Sequence, residues 1–83
     1  MKSAKKIRLW FSAGKEPMLV VFEPMGDEFP ISQGKDIYLE LPAKDVDVIE
    51  IGVWSTGLAV TLPYPGDNTV LDHDGSVIKR LWH

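Results

Sequence analysis

The residues whose types best suit chemistry lie near the C-terminus, in the run Asp72-His73-Asp74-Gly75. Carboxylates at alternate positions followed by a glycine match the opening of a calcium-binding loop, whose oxygen ligands such carboxylates supply. A complete loop also needs flanking helices, further ligands at fixed spacing and a closing Glu, which this run lacks. The Asp-Gly pair instead favours a two-residue hairpin turn. The sequence therefore predicts a turn here and no metal site.

Other residues that catalysis or cofactor binding would need are few. The run Gly26-Asp27-Glu28-Phe29 matches four letters of the signature of cyclic-dinucleotide synthases, but those enzymes need a far larger α/β domain. One of the two histidines, His83, is the terminal residue, so paired histidines for acid–base or zinc chemistry are not expected. The chain has no cysteine and no glycine-rich loop that opens a helix to hold a phosphate. We therefore expect a protein that is not an enzyme and binds no cofactor.

Five aromatic residues are the candidates for binding: Trp10, Tyr38, Trp54, Tyr64 and Trp82. Trp10 and Tyr38 fall on strand faces opposite to the apolar residues beside them. The other three lie at strand ends or, for Tyr64, in a proline-rich loop. Exposed aromatic side chains on sheets and loops are used by protein, peptide and glycan interfaces. The alternative is that these rings cap the open ends of a β-sandwich.

Length and composition are those of one small globular domain. Eighty-three residues are enough for one hydrophobic core and too few for two. A hydrophobic content of 45% and a charged content of 25% argue against general disorder. Because the chain is free of cysteine, a disulfide framework is excluded and a reducing compartment is favoured.

Charge is distributed unevenly along the chain, whose net charge is −3. Residues 1–15 carry five basic residues and no acids, whereas residues 16–78 carry all twelve acids and two lysines, a balance of −10. We interpret residues 1–6 as a flexible basic tail and residues 7–83 as the folded domain. The acids are spread over many strands and turns, so neither a nucleic-acid partner nor an acidic mimic of nucleic acid is favoured.

No segment predicts export or membrane insertion. The basic start is followed by an apolar run of only residues 7–11, which Arg8 interrupts, so the hydrophobic region of a signal peptide is missing. No stretch approaches the roughly 20 apolar residues of a membrane-spanning helix. We therefore predict a cytoplasmic location and no membrane partner.

Eight short segments favour strands, and glycine and proline residues separate them. The segments are residues 7–11, 18–22, 28–31, 36–41, 46–54, 58–62, 69–71 and 77–82. Residues 18–22 are apolar without alternation, which predicts a central strand covered on both faces. The apolar residues change phase along residues 46–54, which a β-bulge near Val48 would explain. Residues 77–82 alternate poorly, so their pairing register stays open.

The spacing of these segments predicts the fold class. Short strands every 8–12 residues with turn chemistry between them are typical of a small all-β domain. We predict a single antiparallel β-sandwich with Greek-key or jelly-roll-like connections, or a partly open barrel. Parallel pairing is not expected, because no connection is long enough to hold a crossover helix.

Four pieces of the chain resemble a group of short uncharacterised bacterial all-β proteins, often carried by actinobacteria. The pieces are residues 23–29 (EPMGDEF), 32–34 (SQG), 64–66 (YPG) and 74–75 (DG). The arrangement spans about two-thirds of the chain. The relatives commonly have Trp where this chain has Met25. The resemblance implies an all-β fold and implies no activity or site.

Together these observations favour a non-enzymatic module that binds another protein or a second copy of itself. Two alternatives stay open. One is a module for carbohydrates or other small ligands that uses the surface aromatic residues. The other is an acidic inhibitor or immunity-type protein that binds a basic target.

Overall fold

The computed structural model describes residues 5–82, and their fold is nearly all β. The strands are β1 (Lys6–Ser12), β2 (Met18–Glu23), β3 (Asp27–Ile31), β4 (Asp36–Pro42), β5 (Glu50–Trp54), β6 (Gly57–Thr61), β7 (Asn68–Leu71) and β8 (Val77–Leu81). One sheet, sheet A, has the order β1-β4-β7-β8, and the other, sheet B, has the order β3-β2-β6-β5. The eight predicted strands and the predicted sandwich are confirmed, since the described strands form two separate sheets and not a closed barrel.

The core lies between the two sheets and is built from alternate residues of their strands. In β4, Ile37, Leu39 and Leu41 are buried, as the alternation of that strand predicts. Phe22 of β2 is fully buried and makes edge-to-face contacts with two other rings, at centroid distances of 6.1 Å to Phe11 and 5.6 Å to Phe29. The contact with Phe11 of β1 joins sheet A to sheet B, whereas the contact with Phe29 of β3 lies within sheet B.

An ion pair links the two sheets at one side of the sandwich. Asp27 lies on the edge strand β3 of sheet B, and Lys79 lies on the edge strand β8 of sheet A. The Lys79 ammonium donates to the Asp27 carboxylate over 2.6 Å. This hydrogen bond holds the pKa of Asp27 below its ordinary value, against a smaller opposing effect of burial.

The prediction of exclusively antiparallel pairing is wrong for one pair of strands. β2 and β6 run parallel, with Leu19 opposite Gly57 and Glu23 opposite Thr61. Parallel neighbours need a long crossover, and the sequence offers no helix for it. The chain instead makes the crossover through β3, then β4 of the other sheet, then β5, so strands of this same sandwich serve as the connection.

The predicted bulge near Val48 is also wrong. Residues Ala43–Val48 form a short 3-10 helix, and the strand begins only at Glu50. This helix carries the chain from β4 in sheet A to β5 in sheet B. Six residues of 3-10 helix advance about 12 Å, close to the roughly 10 Å that separates packed sheets. The change of apolar phase therefore marks the passage between sheets.

The turn of the last hairpin is one residue longer than predicted. The Asp72 N–H donates to the Ser76 carbonyl over 2.8 Å, and the Gly75 N–H donates to the Asp72 carbonyl over 3.0 Å. The loop thus has three residues with Gly75 at a φ of 90°, the usual alternative to a two-residue turn. An irregularity in the pairing of β7 with β8, at Val70 and Leu71, accounts for the poor alternation of the last strand.

β2 is a central strand, as predicted, but its two faces are covered unequally. Val20 and Phe22 are fully buried in the core, whereas Leu19 and Val21 point to the outer face and are only half-buried. The apolar run therefore does not mean complete cover on both sides. It leaves a partly open apolar strip on sheet B.

The folded domain starts before residue 7. β1 begins at Lys6, and the carbonyl of Lys5 accepts a hydrogen bond of 2.9 Å from the N–H of Ala43. The rest of the predicted tail, residues 1–4, and the terminal His83 lie outside the described residues. In the part of the chain that the structure describes, no helix has the length and apolar character needed to cross a membrane.

Candidate interaction surface

The five aromatic candidates lie in three separate places. Trp10 and Tyr38 are directly opposite each other on the outer face of sheet A. Tyr64 and Trp82 form an edge-to-face pair with a centroid distance of 6.1 Å. Trp54 stands alone at the end of β5, on the edge of sheet B. Trp10, Trp54 and Tyr64 are exposed, whereas Tyr38 and Trp82 are half-buried and Trp82 packs against the core. The fold does not bring the five rings together into one site.

The side chain of Trp10 is held in place by a hydrogen bond to Asp36, which also contacts His73. The indole N–H of Trp10 donates to one carboxylate oxygen of Asp36 over 2.7 Å, and Nδ1 of His73 lies 3.0 Å from the other. The Trp10 hydrogen bond, followed by that of His73, holds the pKa of Asp36 below its ordinary value. Trp10 is 62% exposed, so this arrangement fixes a ring on the surface of sheet A.

The contact between Asp36 and His73 resembles the carboxylate–imidazole pair of a catalytic triad in hydrolytic enzymes. A triad also needs a hydroxyl bonded to the other nitrogen of the imidazole. No hydroxyl among the described residues forms a hydrogen bond with His73, and the nearby Ser76 hydroxyl donates to Asp74 over 2.9 Å. The Asp36 carboxylate instead fastens the last hairpin, which carries His73, to β4.

The carboxylates of Asp72 and Asp74, in the run that resembles a calcium-binding loop, accept hydrogen bonds from groups of the turn itself. One oxygen of Asp72 accepts hydrogen bonds from the N–H groups of Asp74, over 3.1 Å, and Ser76, over 3.0 Å. The pKa of Asp74 lies below its ordinary value, because a proton shared between the two carboxyl groups stays on Asp72 and because the hydroxyl and N–H of Ser76 donate to Asp74. Among residues 5–82, no three His, Asp or Glu side chains are placed so that they could hold a metal ion together.

A cleft of about 810 Å³ lies between the start of β1, the 3-10 helix and the proline-rich loop. Its charged lining residues are Lys5, Lys6, Lys44, Asp45 and Asp67. Two of the lysines are neutralised by ion pairs, Lys6 with Asp67 at 2.8 Å and Lys44 with Asp45 at 3.3 Å. The charges of the cleft therefore do not form a strong anion site.

The most exposed apolar surface lies on β5, which we call the β5 edge (Glu50–Trp54). All five residues of this strand are exposed, and they include Ile51 at 51%, Val53 at 77% and Trp54 at 67%. β5 pairs with β6 on one side and ends sheet B on the other. The backbone groups that point away from β6 therefore have no strand neighbour in the described chain.

Two of these side chains are turned toward the core but lie outside it. Ile51 is opposite Val60 and Val53 is opposite Leu58, and opposite residues of an antiparallel pair share a face. Val60 is fully buried, so this is the core face of sheet B. Since Ile51 and Val53 are nevertheless exposed, β5 extends beyond the part of sheet B that sheet A covers.

Trp54 lies on the opposite face of the same strand. Together with Leu19 and Val21 of β2 it lines a shallow depression of about 190 Å³. Gly57 and Ala59 of β6 form its floor, and their small size leaves room beside the indole. The β5 edge is thus apolar on both faces of the sheet.

The other edge strands carry residues that protect them from pairing. β1 has Lys6 and Arg8, β8 has Lys79 and Arg80, and β3 has Pro30 and two acids. Lysine, arginine and proline on an edge are the usual means of blocking contact with another strand. β5 has neither a basic residue nor a proline, and its one charge is Glu50.

Ile51 and Val53 are the functional candidates that sequence reasoning missed. Their alternation with polar neighbours places them on a sheet face, and that much is confirmed. Alternation does not indicate whether a second sheet extends over that face. The absence of lysine and proline from this segment is the one signal in the sequence that points to an open edge.

Comparisons of the chain with protein-family models, with curated proteins and with solved structures give no match.

Proposed function

We propose that this chain is a non-enzymatic protein-interaction module whose binding element is the β5 edge. The observation that carries the proposal is the combination of an unpaired strand edge with exposed apolar side chains on both of its faces. A small soluble domain rarely exposes such a strand without a partner, because it promotes aggregation.

The mode of binding that these features support is addition of a strand. A partner segment in an extended conformation forms main-chain hydrogen bonds with the free side of β5. Ile51 and Val53 then contact its side chains on one face of the sheet. Trp54 does so on the other, beside the depression that Leu19 and Val21 line. Main-chain pairing supplies affinity, and the two apolar faces supply selectivity.

The alternatives have less support in the contacts. An acidic inhibitor needs a continuous unpaired acidic surface, yet five carboxylates of the described chain lie within 4 Å of a basic side chain: Asp27, Asp36, Glu40, Asp45 and Asp67. A carbohydrate module needs rings that share a platform, and the aromatic candidates are divided among three places.

Site-specific photo-crosslinking in the native host tests the proposal. A photoreactive phenylalanine replaces Val53 in one variant and Val77 in a control variant, since Val77 is also an exposed valine on an edge strand. We expect a defined crosslinked protein from position 53 and none, or unspecific products, from position 77. Equal products from the two positions, or none from position 53, would refute the β5 edge as the binding element.

A further inference from the structure

The side chains of the β5 edge are self-complementary, so that two copies of this strand can pair in an antiparallel arrangement. When a two-fold axis joins two copies of a strand in one antiparallel sheet, opposite residues lie on the same face and the axis passes through a residue position. For β5 the possible centres are Ile51, Gly52 and Val53. Only with Gly52 at the axis does each of the five strand residues face a strand residue of the other copy.

This register brings apolar residues together on the core face. Ile51 of one copy lies opposite Val53 of the other, and the symmetry repeats the contact. The four side chains extend the apolar face of sheet B over the part that sheet A leaves uncovered. The gain comes from burying residues that are more than half exposed in the single chain.

The same register pairs a free donor with a free acceptor on the outer face. Trp54 of one copy lies opposite Glu50 of the other. In the described chain neither the Trp54 indole N–H nor the Glu50 carboxylate takes part in a hydrogen bond or ion pair. Trp10 makes an indole-to-carboxylate bond between two strands of sheet A, where it donates over 2.7 Å to Asp36, two residues along the strand from its opposite residue Tyr38. In the paired copies, the Trp54 indole N–H donates to the opposite Glu50 carboxylate, and the two-fold axis forms this bond twice.

Gly52 permits close approach at the axis. It faces its own symmetry copy, and without a side chain it leaves space on the outer face for the two indole rings. A Cβ on Gly52 would lie 3.9 Å from Nε1 of Trp54, so the indole lies over the glycine. Charge does not oppose the pairing either, because the two Glu50 residues sit at opposite ends of the paired strands.

We infer that the partner of the β5 edge is a second copy of this chain, paired β5 to β5 about a two-fold axis at Gly52. The inference rests on the proposed function and specifies its partner. The product is a continuous eight-stranded sheet with the two A sheets on one side. A five-residue edge is a small interface, so the dissociation constant is expected on the order of 10–100 μM.

Sedimentation equilibrium of the purified protein tests association. We expect a monomer–dimer equilibrium, and we expect Val53→Lys to raise the dissociation constant at least 30-fold because the new charge would lie opposite Ile51. Val77→Lys is the matched control and should leave the constant unchanged within about twofold. A protein that stays monomeric at about 1 mM, or a dimer that Val53→Lys does not weaken, would overturn the inference.

Disulfide crosslinking tests the axis. The chain has no cysteine, so a single introduced thiol reports only its own symmetry mate. Gly52→Cys fits the strand, since its Cβ has no neighbour closer than 3.9 Å. It should crosslink under mild oxidation much faster than Ile51→Cys, Val53→Cys or Val77→Cys. If another of these variants crosslinks faster than Gly52→Cys while still forming the dimer, the register with Gly52 at the axis is contradicted.

The experiments distinguish failure of the proposed interaction module from failure of the proposed dimer. If the purified chain is monomeric while position 53 crosslinks to a different protein in the host, the dimer inference falls and the interaction module stands. If position 53 crosslinks to nothing and the chain is monomeric, both fall.

Discussion

Gly57 supports the β5 edge through a close contact between backbones, and replacing it should be far more damaging than replacing Gly52 of the same hairpin. Gly57 is the first residue of β6 and lies opposite Leu19 of β2, with a φ of 157°. A Cβ at this position would overlap the carbonyl oxygen of Leu19 and lie 2.7 Å from its nitrogen and carbonyl carbon. Because these atoms are backbone, no side-chain rotation relieves the overlap. β6 has to move away from β2.

The cost of Gly57→Ala follows from that displacement. Overpacking of a core costs about 1–3 kcal/mol when side chains can adjust, and here backbone must move and the β2–β6 pairing weakens, so we expect at least about 3 kcal/mol. A domain of this length has a free energy of unfolding of roughly 4–12 kcal/mol. The substitution therefore removes a large part of the stability. At Gly52, the new methyl group meets only ordinary contacts, at 3.9 Å to the Ala59 carbonyl oxygen and to the Trp54 indole nitrogen. Gly52→Ala should therefore change stability by less than about 1 kcal/mol, in the stabilising direction.

Urea unfolding followed by circular dichroism measures both variants. With an m-value of about 1 kcal/mol per molar urea, Gly57→Ala should lower the midpoint by about 3 M or leave the chain unfolded without urea. Gly52→Ala should unfold within about 1 M of the parent protein. If Gly57→Ala unfolds within about 1 kcal/mol of the parent, the contact between β6 and the Leu19 backbone is not as close as described, and the reasoning is refuted.

Three further predictions concern the core and the two carboxylates whose pKa values are lowered. Phe22→Ala empties a fully buried site and should cost about 3–5 kcal/mol of unfolding free energy in the same titration. A loss below about 1 kcal/mol would mean that the core collapses around the vacancy. For Asp27, the pKa is lowered in the folded state by Lys79, so its stabilisation is complete above the ordinary value of 3.8 and is lost as pH falls through the folded pKa. Urea titrations between pH 6 and 2 should therefore show a smaller acid loss for Asp27→Asn than for the parent, and equal losses would contradict it. Asp36→Asn replaces the charged acceptor of the Trp10 indole, and its tryptophan emission should differ from that of the parent protein at neutral pH. Identical spectra would show that the bond does not form in solution.

The alternation of side chains was enough to predict a strand such as β4, because alternation depends on the strand alone. A buried face requires an apolar residue at every second position, as Ile37, Leu39 and Leu41 illustrate, whatever the partner strand is. The partner and its direction depend on the rest of the chain. Nothing local to β2 or β6 indicates that they run parallel, and the rule that requires a crossover helix fails when other strands supply the crossover.

The errors in the candidate site have a similar origin. A slip in apolar phase near Val48 is produced equally by a bulge and by a turn of 3-10 helix, and the need to pass between sheets decides between them. Ile51 and Val53 have the pattern of core residues, and only the limited extent of sheet A leaves them exposed. Aromatic residues could be recognised individually, whereas their separation into three places depends on the topology.

The parallel pair also sets the order in which the chain can fold during synthesis. Leu19 of β2 pairs with Gly57 of β6, so β2 gains β6 as its second neighbour only after more than thirty further residues have been synthesised. Pairings between residues so distant in sequence raise contact order and slow folding. In that interval β2, an apolar strand paired only with β3, exposes an edge that can join other nascent chains. Until β6 has been made, the growing polypeptide can therefore misassemble through an edge of β2, a strand that in the folded protein lies inside sheet B.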